Sequence, residues 1–135
     1  VDKYVSPVSV DPRLREKVTE EVRILAKGMN IVTEGRDTTT VIFPDAEYKF
    51  YFDASAEVRA KRRLKDQMGK ADYQTILDGI LARDKNDREK EIGALKIAED
   101  ATYIDTTYMT IEQVKQAVIE VIKIEKKNHS SSGSF

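Results

Sequence analysis

Tyr48-Lys49-Phe50-Tyr51-Phe52-Asp53-Ala54-Ser55 is the stretch that decides the fold. Its aromatic-rich first part reads as a buried or half-buried strand, because large flat side chains suit a pleated surface. Asp53-Ala54 closes the strand, and Ser55 stands where it would cap a helix running from about Ala56 to Met68 with a dense basic face. A strand that passes directly into a capped helix argues for an alternating α/β chain.

The alternation continues in both directions. Upstream, Leu14, Val18, Val22 and Leu25 recur at helical spacing from Pro12 to about Lys27, with Asp11 as N-cap and Gly28 as the stop. Ile31-Val32-Thr33 is a predicted short strand followed by Gly35-Arg36-Asp37, and Thr38 to Phe43 runs into the turn Pro44-Asp45. Downstream, a helix from about Tyr73 to Lys90 carries Ile76, Leu77, Ile80 and Leu81 on one side. Tyr103-Ile104 gives a third strand, and Thr110 caps a last helix with Ile111, Val114, Val118, Val121 and Ile122. The expected fold is α/β with a parallel sheet, of which periodicity alone places three strands. Residues 128–135 are Ser/Gly-rich and are expected to be a disordered tail.

Composition removes several function classes. With 135 residues, 40% of them hydrophobic, the default is one compact domain. Lys plus Arg at 23 and Asp plus Glu at 24 nearly cancel to a formal charge of -1, so bulk charge gives no reason to expect a nucleic-acid or membrane partner. No cysteine is present, which excludes disulfides and thiolate metal sites, and no protein-held metal is expected. The single histidine, His129, lies in the polar tail, so histidine-based catalysis drops out. No apolar run approaches the roughly 20 residues of a membrane span, and the N-terminus is not built like a signal peptide. A soluble, cytoplasmic protein is expected.

Three clusters could carry chemistry. Gly35-Arg36-Asp37 follows a predicted strand, where open α/β sheets bind ligands; Arg36 offers a fork to a phosphate and Asp37 an acceptor to an amino group. The same tripeptide also reads as a turn with surface ion pairs. Arg59, Arg62 and Arg63, with Lys61 and Lys65, share one helix and could converge on a polyanion, or form a solvated basic face. In the run from Arg83 to Lys90, Arg83 and Asp87 stand four apart and would project from one side, either toward a sugar and its phosphate or toward each other.

Taken in order, Gly35-Arg36-Asp37 to Thr40, Val41-Ile42-Phe43-Pro44-Asp45-Ala46, Asp53-Ala54-Ser55 with Arg59-Ala60 and Arg62-Arg63, Arg83-Asp84 with Asp87, Ala98-Glu99-Asp100-Ala101 and Ile104-Asp105-Thr106-Thr107 resemble the bacterial-type cytidylate kinases from about Ser6 to Val121. The resemblance implies a three-layer, parallel-sheet P-loop nucleoside-monophosphate kinase fold and transfer of the ATP γ-phosphoryl group to CMP or dCMP, assisted by Mg²⁺. It implies that residues 1–127 supply the acceptor site, a mobile lid at about 62–90 and the C-terminal part of one kinase core. By the same resemblance Arg15 and Asp37 would read the cytosine, Arg36 would hold the acceptor phosphate, and Ser6, Arg83 and Asp87 would meet the ribose. Arg62 and Arg63 would reach the ATP phosphates, with Lys90 as a further lid cation. Arg36, Arg62, Arg63 and Arg83 would then be the catalytic set, and the protein a monomer. Phosphoryl transfer suits such a set, since it asks for positioning and charge neutralisation rather than a nucleophilic side chain.

The departures are as specific as the matches. No Gly-x-x-x-x-Gly-Lys-Ser/Thr occurs, so the ATP-cradling loop of the family and the strand before it are expected to be missing, and the chain alone is expected to be inactive. A non-catalytic nucleotide-binding or interaction module derived from such a kinase is the alternative. Lys90 stands where the family usually has Arg, which keeps the charge but loses the fork. Thr39 replaces a usual Gly, and Gly93-Ala94-Leu95 lacks the usual Pro before the Leu.

Overall fold

A computed structural model describes residues 11–131 of the protein. The order of elements is helix α1 (Pro12–Ala26), a π-helical turn (Thr38–Ile42), strand β1 (Phe50–Asp53), helices α2 (Ala56–Asp66) and α3 (Tyr73–Glu89), strand β2 (Thr102–Asp105) and helix α4 (Ile111–Ser131). The fold is α/β with a parallel sheet, as the alternation implies. Where length gives one compact unit as the default, the elements divide into two: Val1–Glu47 with Leu81–Asp100, and Tyr48–Ile80 with Ala101–Phe135. Helix α3 contributes its first half to the second unit and its second half to the first.

The second unit holds the sheet. Strands β1 and β2 pair in parallel with Tyr51 opposite Tyr103 and Phe52 opposite Ile104. The two tyrosine rings stack across the strands at 5.7 Å, and Phe50 and Phe52 stack along β1 at 6.2 Å. The ladder extends at both ends through Thr102 N–H to the Lys49 carbonyl at 2.8 Å and Thr106 N–H to the Asp53 carbonyl at 2.7 Å. Ser55 caps α2 by accepting from Val58 N–H, as its position predicts. Ala60, wholly buried, packs with Ile76 and Ile80 to join α2 to the start of α3. Full burial of an isoleucine is worth about 2 kcal/mol. Thr110 caps α4 reciprocally: its hydroxyl accepts from Gln113 N–H, and the Gln113 side chain accepts from Thr110 N–H.

The first unit has a polar interior. Asp37, Thr38 and Asp87 are buried, and Ala98 is the one buried apolar residue among those described in this unit. Helix α1 forms where its apolar period and its Asp11 cap predict, yet none of its residues is buried, and Leu14, Val18, Val22 and Leu25 are all exposed.

Three expectations are corrected. Ile31–Thr33 is not a strand: a strand needs a neighbour's ladder, β1 and β2 are the only paired strands among the described residues, and Val32 stands fully exposed. Helix α2 stops at Asp66 rather than Met68, because Met68 (φ 53°) and Gly69 (φ 69°) turn left-handed and end it. The expected tail begins as helix: α4 continues to Ser131, each added turn requiring little once the helix is nucleated, and Ser130 Oγ donates back to the Lys126 carbonyl at 2.9 Å. Residues 132–135 and Ser6 lie outside the described residues. No helix among the described residues is long and apolar enough to cross a membrane.

Candidate functional site

The first unit contains a cavity of about 730 Å³ whose wall includes Arg15, Asp37, Thr40, Lys90 and Gly93. Arg15 sits one turn into α1, where its N–H donates to the Asp11 carbonyl at 3.0 Å. Asp37 arrives at the foot of the π-turn, where its own carbonyl accepts from Val41 N–H at 2.8 Å and from Ile42 N–H at 3.2 Å. The i→i+5 bonds typical of such a turn continue with Phe43 N–H to the Thr38 carbonyl at 2.7 Å. The far end of the turn is tied to α1: Arg23 donates from Nε to the Ile42 carbonyl at 2.8 Å and from Nη2 to the Val41 carbonyl at 2.7 Å. Gly35 is required locally, since a Cβ there would collide with the Thr38 hydroxyl, which is buried without a hydrogen-bond partner.

Two ion-pair clusters result. Arg15 Nη2 pairs with Asp37 Oδ2, both side chains largely buried. Asp87 collects the other cations: Arg36 Nε donates to Oδ2 at 2.9 Å, Lys90 Nζ lies 3.0 Å from Oδ1, and Arg83 Nε lies 3.8 Å from Oδ2. Burial works to raise the Asp87 pKa, but the hydrogen bonds from Lys90 and Arg36, and then their charges, outweigh it and hold the carboxyl below the ordinary aspartate value. Leu95 N–H donates to the Asp87 carbonyl at 2.6 Å, folding the chain after α3 back onto that residue.

The geometry thus brings together Arg15 with Asp37, and Arg36 with Arg83, Asp87 and Lys90. Arg62 and Arg63 belong to the second unit. Arg62 donates there to Thr106 Oγ1 at 3.2 Å, the Thr106 carbonyl at 2.6 Å and the Met109 carbonyl at 3.3 Å, just beyond the carboxyl end of β2. Arg63 is exposed. Within the same sheet Tyr103 donates its hydroxyl to Asp53 Oδ2 at 2.6 Å, and this hydrogen bond pushes the Tyr103 pKa up to about 12. Thr107, through its hydroxyl first and then its N–H, holds the Asp105 carboxyl below its ordinary value. Thr39 keeps a right-handed backbone, so the missing glycine is absorbed by the π-turn. Sequence reading missed Arg23 and Gly93. Arg23 lies eight residues after Arg15 on α1, a helical spacing that places both near one face. No local signal marks Gly93.

A cation fork beside a shared carboxylate, and a second carboxylate held by an arginine, are the parts from which a nucleotide acceptor site is assembled. The family model described as cytidylate kinase matches residues 1–124. The chain is 44% identical over 124 residues to a cytidylate kinase of Caldicellulosiruptor saccharolyticus, covering 90% of the chain and 55% of that protein. It is 46% identical over 112 residues to one of Thermosipho africanus, covering 81% of the chain and 50% of that protein. Against an Acinetobacter baumannii cytidylate kinase it is 42% identical over 125 residues, 90% of the chain and 55% of that protein. The chain spans about half the length of the curated relatives it matches. Every residue of the two ion-pair clusters falls inside the matched span, and on that match the chain belongs to the cytidylate kinase family.

Proposed function

We propose that the first unit forms the acceptor site of a cytidylate kinase, which moves the γ-phosphoryl group of ATP to CMP or dCMP. The observation that carries the reading is the division of labour at consecutive residues. Arg36 engages Asp87 through Nε alone, which leaves two Nη groups as a fork for the acceptor phosphate. Asp37 engages Arg15 through Oδ2, which leaves Oδ1 to accept from the exocyclic amino group of cytosine.

Arg83 and Asp87 serve the ribose in this reading, with Ser6, and Lys90 adds positive charge beside them. Arg62 and Arg63 serve the ATP phosphates as part of a lid whose closure expels water. The catalytic contribution of all these groups is orientation and charge neutralisation, which is what a loose phosphoryl-transfer transition state rewards. Mg²⁺ would arrive bound to the ATP phosphates and neutralise charge there; among the described residues no group of three or more His, Cys, Asp and Glu is placed to hold it. The protein acts as a monomer in the cytoplasm.

Calorimetric titration of the chain with CMP, with AMP as control and ATP in a separate run, tests the reading. Selective CMP binding is the expected result. A folded chain that binds CMP no better than AMP overturns it.

A further inference from the structure

Gly93 approaches Arg15 more closely than a residue with a side chain would. Its φ is +69°, and a Cβ built on its backbone would lie 2.8 Å from Arg15 Cζ, 2.8 Å from Nη2 and 2.9 Å from Nη1. Those separations are well inside van der Waals contact. Gly28 and Gly69 also have positive φ, yet a Cβ on either would meet nothing within 4 Å. Backbone conformation therefore accounts for the glycine at 28 and 69, whereas at 93 the vacant Cβ position is used by a guanidinium. That guanidinium is the one whose Nη2 bonds Asp37. Backbone contact and ion pair engage one rigid planar head group, so the position of one fixes the position of the other.

We propose that Gly93 is a positioning residue of the acceptor pocket: by lacking a Cβ it lets the Arg15 guanidinium settle against the loop after α3 and aims it at Asp37, which sets the pocket's preference for an amino-bearing base. The proposal rests on the reading of this pocket as the acceptor site. The atoms a Cβ would meet are the far end of a flexible side chain, so a side chain at 93 displaces Arg15 instead of unfolding the loop. Its effect falls on ligand selection.

The test compares Gly93→Ala and Gly93→Asn with the unsubstituted chain, alone and combined with Arg15→Ala, by CMP titration and by the Arg15 Nε–H resonance of isotope-labelled, ligand-free protein. Asparagine tolerates a left-handed backbone better than alanine, which separates the added Cβ from backbone strain. Both single variants are expected to shift the Arg15 resonance and to weaken CMP binding about tenfold, the scale of one charged hydrogen bond. In the Arg15→Ala background the same changes at 93 should alter CMP binding less than about twofold, since the coupled partner is gone. Equal losses in both backgrounds, or a loss with Ala but not with Asn, overturn the proposal. Should the unsubstituted chain fail to bind CMP, the acceptor-site reading fails, and the resonance alone decides: a shift in both variants upholds the placement of Arg15 by Gly93, and an unmoved signal overturns it.

Discussion

Arg36 and Asp87, 51 positions apart in the chain, are joined by a 2.9 Å hydrogen bond from guanidinium Nε to a carboxylate oxygen. This bond fixes the plane of the guanidinium and so the direction of its two remaining nitrogens. Arg36→Lys keeps the charge and loses both the plane and the fork. We expect CMP affinity to fall at least about tenfold, more than a charge count implies. Calorimetry on the folded variant reads it, and an unchanged affinity would remove Arg36 from the site.

Asp37 owes its orientation to Arg15 on one side and to the π-turn on the other. Replacing it with Ala removes the proposed acceptor for the cytosine amino group while leaving the Arg36 fork in place. Selection of CMP over UMP should collapse toward parity, with phosphate-dependent binding retained. Competition titration of the two nucleotides decides it: intact selectivity in Asp37→Ala places base recognition elsewhere.

Asp87 gives the fold an acid limb. Its folded-state pKa is depressed, since the hydrogen bonds and charges of Lys90 and Arg36 outweigh the opposing effect of burial. The stabilisation is therefore present above the unfolded-state value, about 3.9, and is lost as pH falls through the lower folded value. Denaturant unfolding at pH 7 and near pH 3 should show a drop in stability that Asp87→Asn makes shallower. The variant should also be weaker than the parent at pH 7, since three cations lose their anion. An unaltered acid limb would contradict the assignment.

Tyr103 should ionise well above the ordinary tyrosine range. Its pKa is raised to about 12 by its hydrogen bond to Asp53. A raised value means the bond favours the folded state below the ordinary tyrosine pKa of about 10 and loses that contribution as pH climbs through the folded value. A spectrophotometric titration of the tyrosinate band in alkali, repeated on Tyr103→Phe, should lose a step at about 12. If that step survives in the variant, the Tyr103–Asp53 bond is not present in solution.

What was legible in the sequence was what is locally determined. Asp11, Ser55 and Thr110 announce three helix starts because a cap needs only its own next three residues. Arg83 announces its approach to Asp87 because helical spacing supplies it. Ile31-Val32-Thr33 has strand composition, but a strand exists only with a partner, and composition does not carry the partner. The π-turn was hidden for a related reason: its end is tied down by Arg23, 18 and 19 positions earlier on another element. Arg36 entered the site by family resemblance, and its bond to Asp87 could not be read from either residue's neighbours. Arg62 was legible as a cation, while its hold on the Thr106 and Met109 carbonyls depends on a loop 44 and 47 positions away.

The crowding of Arg36, Arg83 and Lys90 around Asp87 has a thermodynamic corollary. Three positive heads share one negative group, so the cluster carries an excess of two charges and should draw small anions from the buffer. A nucleotide phosphate entering there must displace them, and their release contributes favourable entropy only while the surrounding solution is dilute. Acceptor affinity should therefore weaken steadily as ionic strength rises, and sulfate or inorganic phosphate should compete more strongly than chloride at equal concentration.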